Sequence, residues 1–501
     1  MFFKIIKQNY VVVFSAILCA YAYTSMNLFI LFFSWAPFFY QSLKSSSLKT
    51  SLFTGAIFGF FYGIGLFSWI HFTLQDYSSN KILGTFVVVV LAFLYAIIYS
   101  LFSLIIYAFK NQLIHIKNFL KGLALVAVLT LIEELLSFLL QGIPFLNSRL
   151  GFTVSKSLYL SQFAKIGGVA ILTFLVFANN YIVVISLINK NIKKGVIKVV
   201  GFCVLIFGLG FLQYQLSKTQ THKEVKIAVI SGNIHPKVSW NAATGNTLVN
   251  NYFNLTSEAN KEEPDFIIYP ESTIPWLFNE KDDFIRGLQK RVNNKIHLVV
   301  GNNVQLDKSY MTNSVVFLSS KEGKYAQYNK NVLLKAIEEP LFKCQIPFFI
   351  NKELKFRKHG SYKPINTQSS NIGVLVCNEA IEEQLVRKQV ENGAEAFFVL
   401  SNDGWFKDSY ISHYHFYISR IMAIAFKRSF SISNNCGTSG FINSKGEFLK
   451  YKNSTTPLKL TQNIEFDKTQ TFYAKFPFAF IISLIVIITI ILFLSIKSLK
   501  L

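Results

Sequence analysis

Several apolar runs in the second half of the chain end on residues that can react or form hydrogen bonds. Run 266–270 leads into Glu271, run 372–376 into Cys377, run 397–400 into Ser401, Asn402 and Asp403, and run 431–433 into Asn434 and Asn435. In α/β sheets, ligands gather beyond the carboxyl ends of the strands, so these endings predict one shared site. Cys377 is the sharpest candidate. A helical pattern follows it at once, and a thiol at a helix N-terminus has its thiolate stabilised, more so beside a lysine. Taken alone, a cysteine at a strand end is more often a small core residue. The other cysteines lack this setting: Cys19 and Cys203 lie in long apolar runs, Cys344 follows a lysine in a loop, and Cys436 follows two asparagines. His413 and His415 have no third metal-type ligand at suitable spacing, and no metal is expected.

These residues need a scaffold, and 225–470 reads as an α/β domain. Strands are predicted at 226–230, 266–269, 297–301, 314–319, 372–376, 396–400, 429–433 and 440–443. Helices are predicted near 243–260, 280–293, 380–392 and 411–427.

The rest of the chain is a different material. Hydrophobic residues make up 51% of the 501 and charged residues only 15%, which excludes a disordered chain. An odd five cysteines excludes a disulfide scaffold. Residues 1–220 hold Asp76, Glu133 and Glu134 as their acids against sixteen Lys and Arg. Those bases sit in short clusters between apolar runs, the pattern of a membrane protein rather than of a nucleic-acid binder. A bilayer core takes about 20 residues per helix, and candidate spans are 10–24, 26–41, 52–75, 83–109, 122–141, 166–188, 199–216 and 474–496. The first two are either one kinked hairpin or two short helices joined at 24–27. Alternate connections carry thirteen Lys on one side and four Lys or Arg on the other. That asymmetry predicts cytoplasmic termini and an outward-facing 217–473. Three parts are expected: a membrane domain 1–216 with about seven helices, an extracytoplasmic domain 217–473, and a final helix and tail 474–501. Glu133 and Glu134, inside an apolar run, are either functional or hydrogen-bond partners within the bundle.

Tyr-Pro-Glu-Ser at 269–272, Tyr-Asn-Lys at 328–330, Val-Cys-Asn-Glu at 376–379 and Ser-Asn-Asp-Gly-Trp-Phe at 401–406 occur in this order. The ordered set resembles the carbon–nitrogen hydrolase (nitrilase) superfamily. With apolar spans on both sides, the chain resembles that superfamily's membrane branch, the bacterial apolipoprotein N-acyltransferases. The likeness extends to His415-Phe416, Arg420, Asn434-Asn435 and the 142–145 stretch. It implies a multi-span helical bundle carrying a nitrilase-like α-β-β-α sandwich in the bacterial inner membrane. It also implies a catalytic set of Glu271 as base, Lys330 as oxyanion stabiliser and Cys377 as nucleophile. The second acid matches Glu338, with Glu339 beside it, and Glu379 matches a further position, while Asn378 stands where relatives often carry an aromatic residue. Asn402 and Asn435 would support the site, and Trp240, Trp276 and Trp405 would line an acyl-chain entrance. The implied reaction moves an acyl chain from a phospholipid to the α-amino group of a diacylglyceryl apolipoprotein, without cofactor or nucleic acid, in a monomer. A membrane-tethered amidase acting on a small amide would use the same three catalytic residues.

Overall fold

The helices of the first half are held together by small residues, and the sheets of the second half by alternating apolar ones. The structure is a computed structural model that describes residues 2–77, 81–112, 118–143, 146–217, 221–235, 238, 241–320, 323–341, 354–358, 360–367, 370–406 and 409–499. The chain divides into two compact units. One comprises Met1–Gln141, Asn147–Leu216 and Phe476–Leu501, and the other Gly142–Leu146 and Ser217–Lys475.

In the first unit, six helices among the described residues are long and apolar enough to cross a membrane: Leu48–Gln75, Ile82–Lys110, Phe119–Leu139, Ala164–Ile188, Ile192–Gln215 and Ala479–Ile496. The two most N-terminal candidates form shorter pieces. The expected joint at 24–27 is real: Met26 has φ +52°, and the Asn27 side chain caps the next helix by accepting the Ile30 N–H at 3.1 Å. A second break separates Leu28–Ser34 from Ala36–Lys44. There Asn180 Oδ1 accepts the backbone N–H groups of Trp35 and Ala36, each at 3.0 Å. Pro37 sits in the first turn that follows, where a missing N–H costs nothing.

Gly55, Gly59 and Gly63 recur every four residues and let the Leu48–Tyr77 and Lys81–Gln112 helices meet backbone to backbone. A Cβ at Gly55 or Gly59 would stand 2.2 Å from the carbonyl oxygen of Tyr99 or Tyr95. Close approach at small residues replaces the hydrophobic drive that is missing in lipid. Glu133 is buried and accepts the Leu150 N–H at 3.1 Å and the Thr173 hydroxyl at 3.2 Å, while Glu134 pairs with Arg149. Glu133 is therefore a hydrogen-bond partner inside the bundle, and Glu134, 24% exposed, is the ion-pair partner of Arg149. Many large apolar side chains, among them Phe14, Phe86, Phe93 and Phe493, remain exposed on these helices, as a lipid-facing surface requires.

The second unit contains two sheets. The first runs β13 (Leu458–Asp467), β1 (Thr221–Ser231), β2 (Phe266–Ile268), β3 (His297–Gln305), β4 (Tyr310–Ser319) and β5 (Gly323–Asn329), with β6 (Lys355–Phe356) beside β4. The second runs β12 (Phe448–Asn453), β11 (Thr438–Ile442), β10 (Ser429–Asn435), β9 (Ala396–Asn402), β8 (Ser370–Val376) and β7 (Ile365–Thr367). Strand periodicity sorts the core. Val225, Ile227 and Val229 of β1 meet Val374, Phe398 and Phe441 of the other sheet. The alternate residues Ala228 and Ile230 face helices Ala242–Asn260 and Asp283–Gln289. Helices Glu383–Glu391 and Ile411–Phe426 pack on the second sheet, which completes the expected α-β-β-α sandwich. Strands β5, β6, β7, β12 and β13 were not in the sequence expectation. β12 shows why: its side chains are mostly exposed, so it carries no apolar run. The helix expected over 280–293 shrinks to seven residues and ends before Lys290.

The parallel strands β1–β3 and β8–β10 point their carboxyl ends to the residues singled out above. The turn after β2 lies directly on β3 at Gly301. A Cβ there would meet the Pro270 carbonyl oxygen at 2.5 Å and Glu271 Cα at 2.8 Å. Gly301→Ala is expected to cost about 1–3 kcal/mol, the usual size for overpacking. Thermal unfolding of the detergent-solubilised protein should show it as a lowered midpoint. Gly245→Ala, where the added methyl meets nothing within 4 Å, should leave the midpoint unchanged or raised.

Candidate active site

Glu271, Lys330, Glu338 and Cys377 come from three separate segments, Lys330 and Glu338 sharing the loop after β5, and meet in the interior. Glu271 follows β2 and is followed by Ser272 at φ +52°. Cys377 follows β8 at φ +54°, a left-handed conformation that a non-glycine residue holds only when its surroundings impose it. Lys330 leaves β5 with its N–H donated to the Asn313 carbonyl at 2.8 Å, and it is 1% exposed.

The carboxylates are organised around that lysine. Lys330 Nζ lies 3.0 Å from Glu338 Oε1 and 3.8 Å from Glu271 Oε1. Asn313 Nδ2 donates to Glu271 Oε1 at 2.6 Å and to Glu338 Oε1 at 3.2 Å. Glu338 Oε2 accepts the Leu334 N–H at 2.8 Å, which closes the 330–338 loop on itself. The acid at this place is therefore Glu338; Glu339 meets the loop through its backbone, its carbonyl accepting the Ala336 N–H at 2.7 Å and its N–H donating to the Leu334 carbonyl at 3.1 Å. The Lys335 N–H donates to the Gly142 carbonyl at 2.8 Å, so Gly142 braces the same loop. Pro144 and Phe145 lie outside the described residues.

Glu379 has a different task. Its Oε1 accepts the backbone N–H groups of Asn331 (2.6 Å) and Val332 (3.0 Å), and its Oε2 accepts the Val376 N–H and the Tyr328 hydroxyl, both at 2.9 Å. It ties the loop after Lys330 to the turn that carries Cys377. Burial pushes its carboxyl up to about 7, against the pull of Lys330 and of these N–H groups.

Electrostatics correct one expectation. The turn opened by Cys377 is a five-residue 3₁₀ segment, not an α-helix. Burial first, and then the Glu271 charge, push the thiol well above its ordinary range, while the opposing pull of Lys330 falls short. Burial likewise raises the Glu271 carboxyl, against Lys330. Burial works against the Lys330 charge too, but Glu338 and Glu271 outweigh it and raise its pKa, so the ammonium persists. The resting site thus holds a neutral thiol beside a fixed cation.

Asp403 and His415 are the residues that spacing did not assemble. The Cys377 sulfur, a carboxylate oxygen of Asp403 and a ring nitrogen of His415 lie within 4.8 Å of one another, all buried. His415 Nδ1 is 3.1 Å from Asp403 Oδ1, and Asp403 is held by Ser401 Oγ (3.1 Å) and Asn434 Nδ2 (2.7 Å). Asp403 was visible as a strand ending. Its pairing with a histidine twelve residues on needed the fold. Asn313 carried no sequence signal, because its position comes from β4 register.

Asn402 and Asn435 hydrogen-bond to each other at 3.0 Å, and Asn435 also binds both backbone groups of Ile234. With Trp405, Ser272, Thr273 and Tyr252 they line a cavity of about 220 Å³ beside the Glu271 turn, whose wall does not include Cys377. Trp276 is not in that wall. It is 38% exposed, and its Nε1 donates to Asp282 at 2.7 Å. Trp240 lies outside the described residues.

Residues 226–470 match the carbon–nitrogen hydrolase family, and residues 15–182 match the apolipoprotein N-acyltransferase N-terminal domain. The chain is 24% identical to the apolipoprotein N-acyltransferase of Pasteurella multocida, over 86% of this chain and 85% of the relative. It is 25% identical to that of Aquifex aeolicus, over 87% of this chain and 94% of the relative. A crystal structure of a carbon–nitrogen hydrolase from Helicobacter pylori is similar at 17% identity and a TM-score of 0.39, covering 51% of this chain and 94% of that one. Fold and site define a carbon–nitrogen hydrolase domain on a chain of apolar helices. The chain belongs to the apolipoprotein N-acyltransferase family of that superfamily.

A raised thiol makes a prediction with a definite sign. A thiolate is the species that reacts with iodoacetamide, so alkylation of Cys377 should be slow at neutral pH. It should still be climbing above the ordinary thiol value of about 8.5. A rate that levels off below pH 7 would mean a resting thiolate. Cys377→Ala supplies the background from the other cysteines.

Proposed function

We propose that this chain transfers a fatty acyl group from a membrane phospholipid to the α-amino group of the lipidated N-terminal cysteine of apolipoproteins. The reading rests on one combination: a buried Glu–Lys–Cys site in a chain whose described residues include six bilayer-length apolar helices. Both substrates carry acyl chains, and each buried CH₂ is worth about 0.8 kcal/mol, so an enzyme acting on them has to work at the bilayer.

The chemistry runs in two halves through Cys377. Glu271 takes the thiol proton as sulfur attacks the donor ester carbonyl, and returns it to the departing alkoxide. Because the thiol is neutral at rest, this transfer accompanies attack rather than preceding it. Lys330, 1% exposed, stabilises the oxyanion from the interior, where fixed charge acts most strongly. Glu338 and Asn313 hold Lys330 and Glu271 in register, and Glu379 holds the loop between Lys330 and the sulfur. The acceptor amine then attacks the thioester, and Glu271 passes its proton to sulfur. Asn402 and Asn435 support the cavity wall at Trp405; Trp405, Trp276 and Trp240 are the proposed acyl entrance. The protein acts as a monomer, since one chain supplies every group invoked. It lies in the bacterial inner membrane, with both termini cytoplasmic and 217–473 outside, following the lysine asymmetry.

Incubation with phospholipid alone should add one acyl chain to Cys377 as a hydroxylamine-sensitive thioester, absent in Cys377→Ala. A diacylated lipopeptide with a free amine should discharge it to a triacylated product, and its N-acetylated copy should not. Decay to free fatty acid at one rate with either peptide would instead favour an amidase.

Orientation has its own test. A cysteine placed at Asn254 should react with an impermeant maleimide in intact cells. One placed at Lys193 should react only after permeabilisation, and the reverse pattern would invert the topology.

A further inference from the structure

The proposed reaction leaves one proton unaccounted for, and the structure holds a group to take it. In the first half, the thiol proton goes to Glu271 and then to the leaving alkoxide, so nothing is left over. In the second, one amine proton goes through Glu271 to the sulfur. The acceptor, however, is an α-amino group with a pKa of about 7.7–8.0, so near neutrality it arrives mostly as an ammonium. It carries one proton more than Glu271 can cycle, and an ammonium has no lone pair with which to attack.

Resting on that acyl-transfer reading, we propose that His415, oriented by Asp403, is the second base of the site and removes the surplus proton from the acceptor ammonium. His415 is 1% exposed, lies on the Ile411–Phe426 helix, and has a ring nitrogen within 4.8 Å of the sulfur and of Asp403. Its Nδ1 is engaged by Asp403 Oδ1 at 3.1 Å, which leaves Nε2 as the acceptor when Nδ1 carries the hydrogen. Asp403 is fixed by Ser401, by the Asn434 amide and by its own N–H on Asn434 Oδ1 at 3.1 Å, so it acts as a positioning residue. Among the described residues, the groups facing the ring are Asp403 from the turn after β9, Cys377 from the turn after β8 and Tyr414 from its own helix. Glu271 and Lys330 act on the same sulfur from the first sheet's side of the sandwich. Glu379, on the Cys377 turn, is occupied by the loop after Lys330, and Arg420, one turn along the helix, donates to the Gly446 carbonyl at 2.7 Å.

The step balances. The ammonium gives one proton to His415 Nε2 and becomes an amine. The amine nitrogen forms the amide bond as the C–S bond breaks, and its second proton reaches sulfur through Glu271. The imidazolium releases its proton to water. Thioester plus ammonium thus yields amide, thiol and one free proton.

The test measures the two halves separately in the full-length enzyme with His415→Gln, whose amide can still donate to Asp403. Thioester formation from phospholipid should stay within about twofold of the unsubstituted enzyme, because that half has no surplus proton. Discharge by the free-amine lipopeptide should fall about tenfold or more near pH 6.5, and the gap should close near pH 9, where the acceptor arrives neutral. A loss of equal size at every pH, or an equal loss in thioester formation, overturns the assignment and leaves His415 a structural residue. Should the variant not fold, the unsubstituted enzyme still decides. Discharge that falls tenfold per pH unit below the amine pKa means that solvent, not His415, removes the proton, whereas a shallower fall supports the assignment. Absence of any thioester on the unsubstituted enzyme is a separate result: it removes the acyl-transfer reading itself.

Discussion

The site depends on one cation kept out of water. Lys330 is almost wholly buried, 3.0 Å from Glu338 and 3.8 Å from Glu271, with Asn313 bridging the two acids. Breaking such a buried group by removing one partner typically costs about 3–5 kcal/mol, because a charge is left without compensation. Two acids around one lysine also leave a net negative charge near the sulfur. That is part of why the thiol rests protonated and a base must be built in beside it. The same low-dielectric surroundings that make the cluster costly make Lys330 effective on a developing oxyanion.

Everything around the cluster keeps it in place. The parallel strands deliver Glu271, Cys377 and Asp403 to one end of the sandwich, and the packing of alternate apolar residues between the sheets fixes how those ends align. Tight contacts take over where strands stop. Gly301 lets the Glu271 turn lie on β3, and Glu379 uses four hydrogen bonds to fasten the Lys330 loop to the Cys377 turn. The positive φ at both Ser272 and Cys377 shows the backbone bent to the needs of the site rather than to its own preference.

The apolar unit solves a separate problem with separate means. Its helices bury Trp35, Phe38 and Phe58 but also present large apolar side chains outward, so in a bilayer burial alone does not hold them together. Glycines spaced by four bring backbones into contact. Polar groups such as Asn180 and Glu133 satisfy the N–H groups freed where helices break or start.

Local pattern was enough for much of this. Apolar runs of bilayer length and strand-period runs ending at Glu271, Cys377 and Asn402 are properties of neighbouring residues, so the two-part architecture and these strand endings could be read directly, whereas Lys330 entered only through the ordered motifs that carry the family resemblance. Where local signals were weak, the reading failed for physical reasons. Strand β12 exposes most of its side chains and has no apolar run, and the break at Trp35 is stabilised by Asn180, 145 residues away. Choosing Glu338 over Glu339 required seeing which carboxylate reaches Lys330. The acidity of Cys377 is not legible in the sequence, because burial and the Glu271 charge push the thiol up and both are properties of the folded interior. The meeting of Cys377, Asp403 and His415 belongs to the same class. Their separations along the chain carry no geometric information, and only the packing of a helix against two strand ends brings them within 4.8 Å.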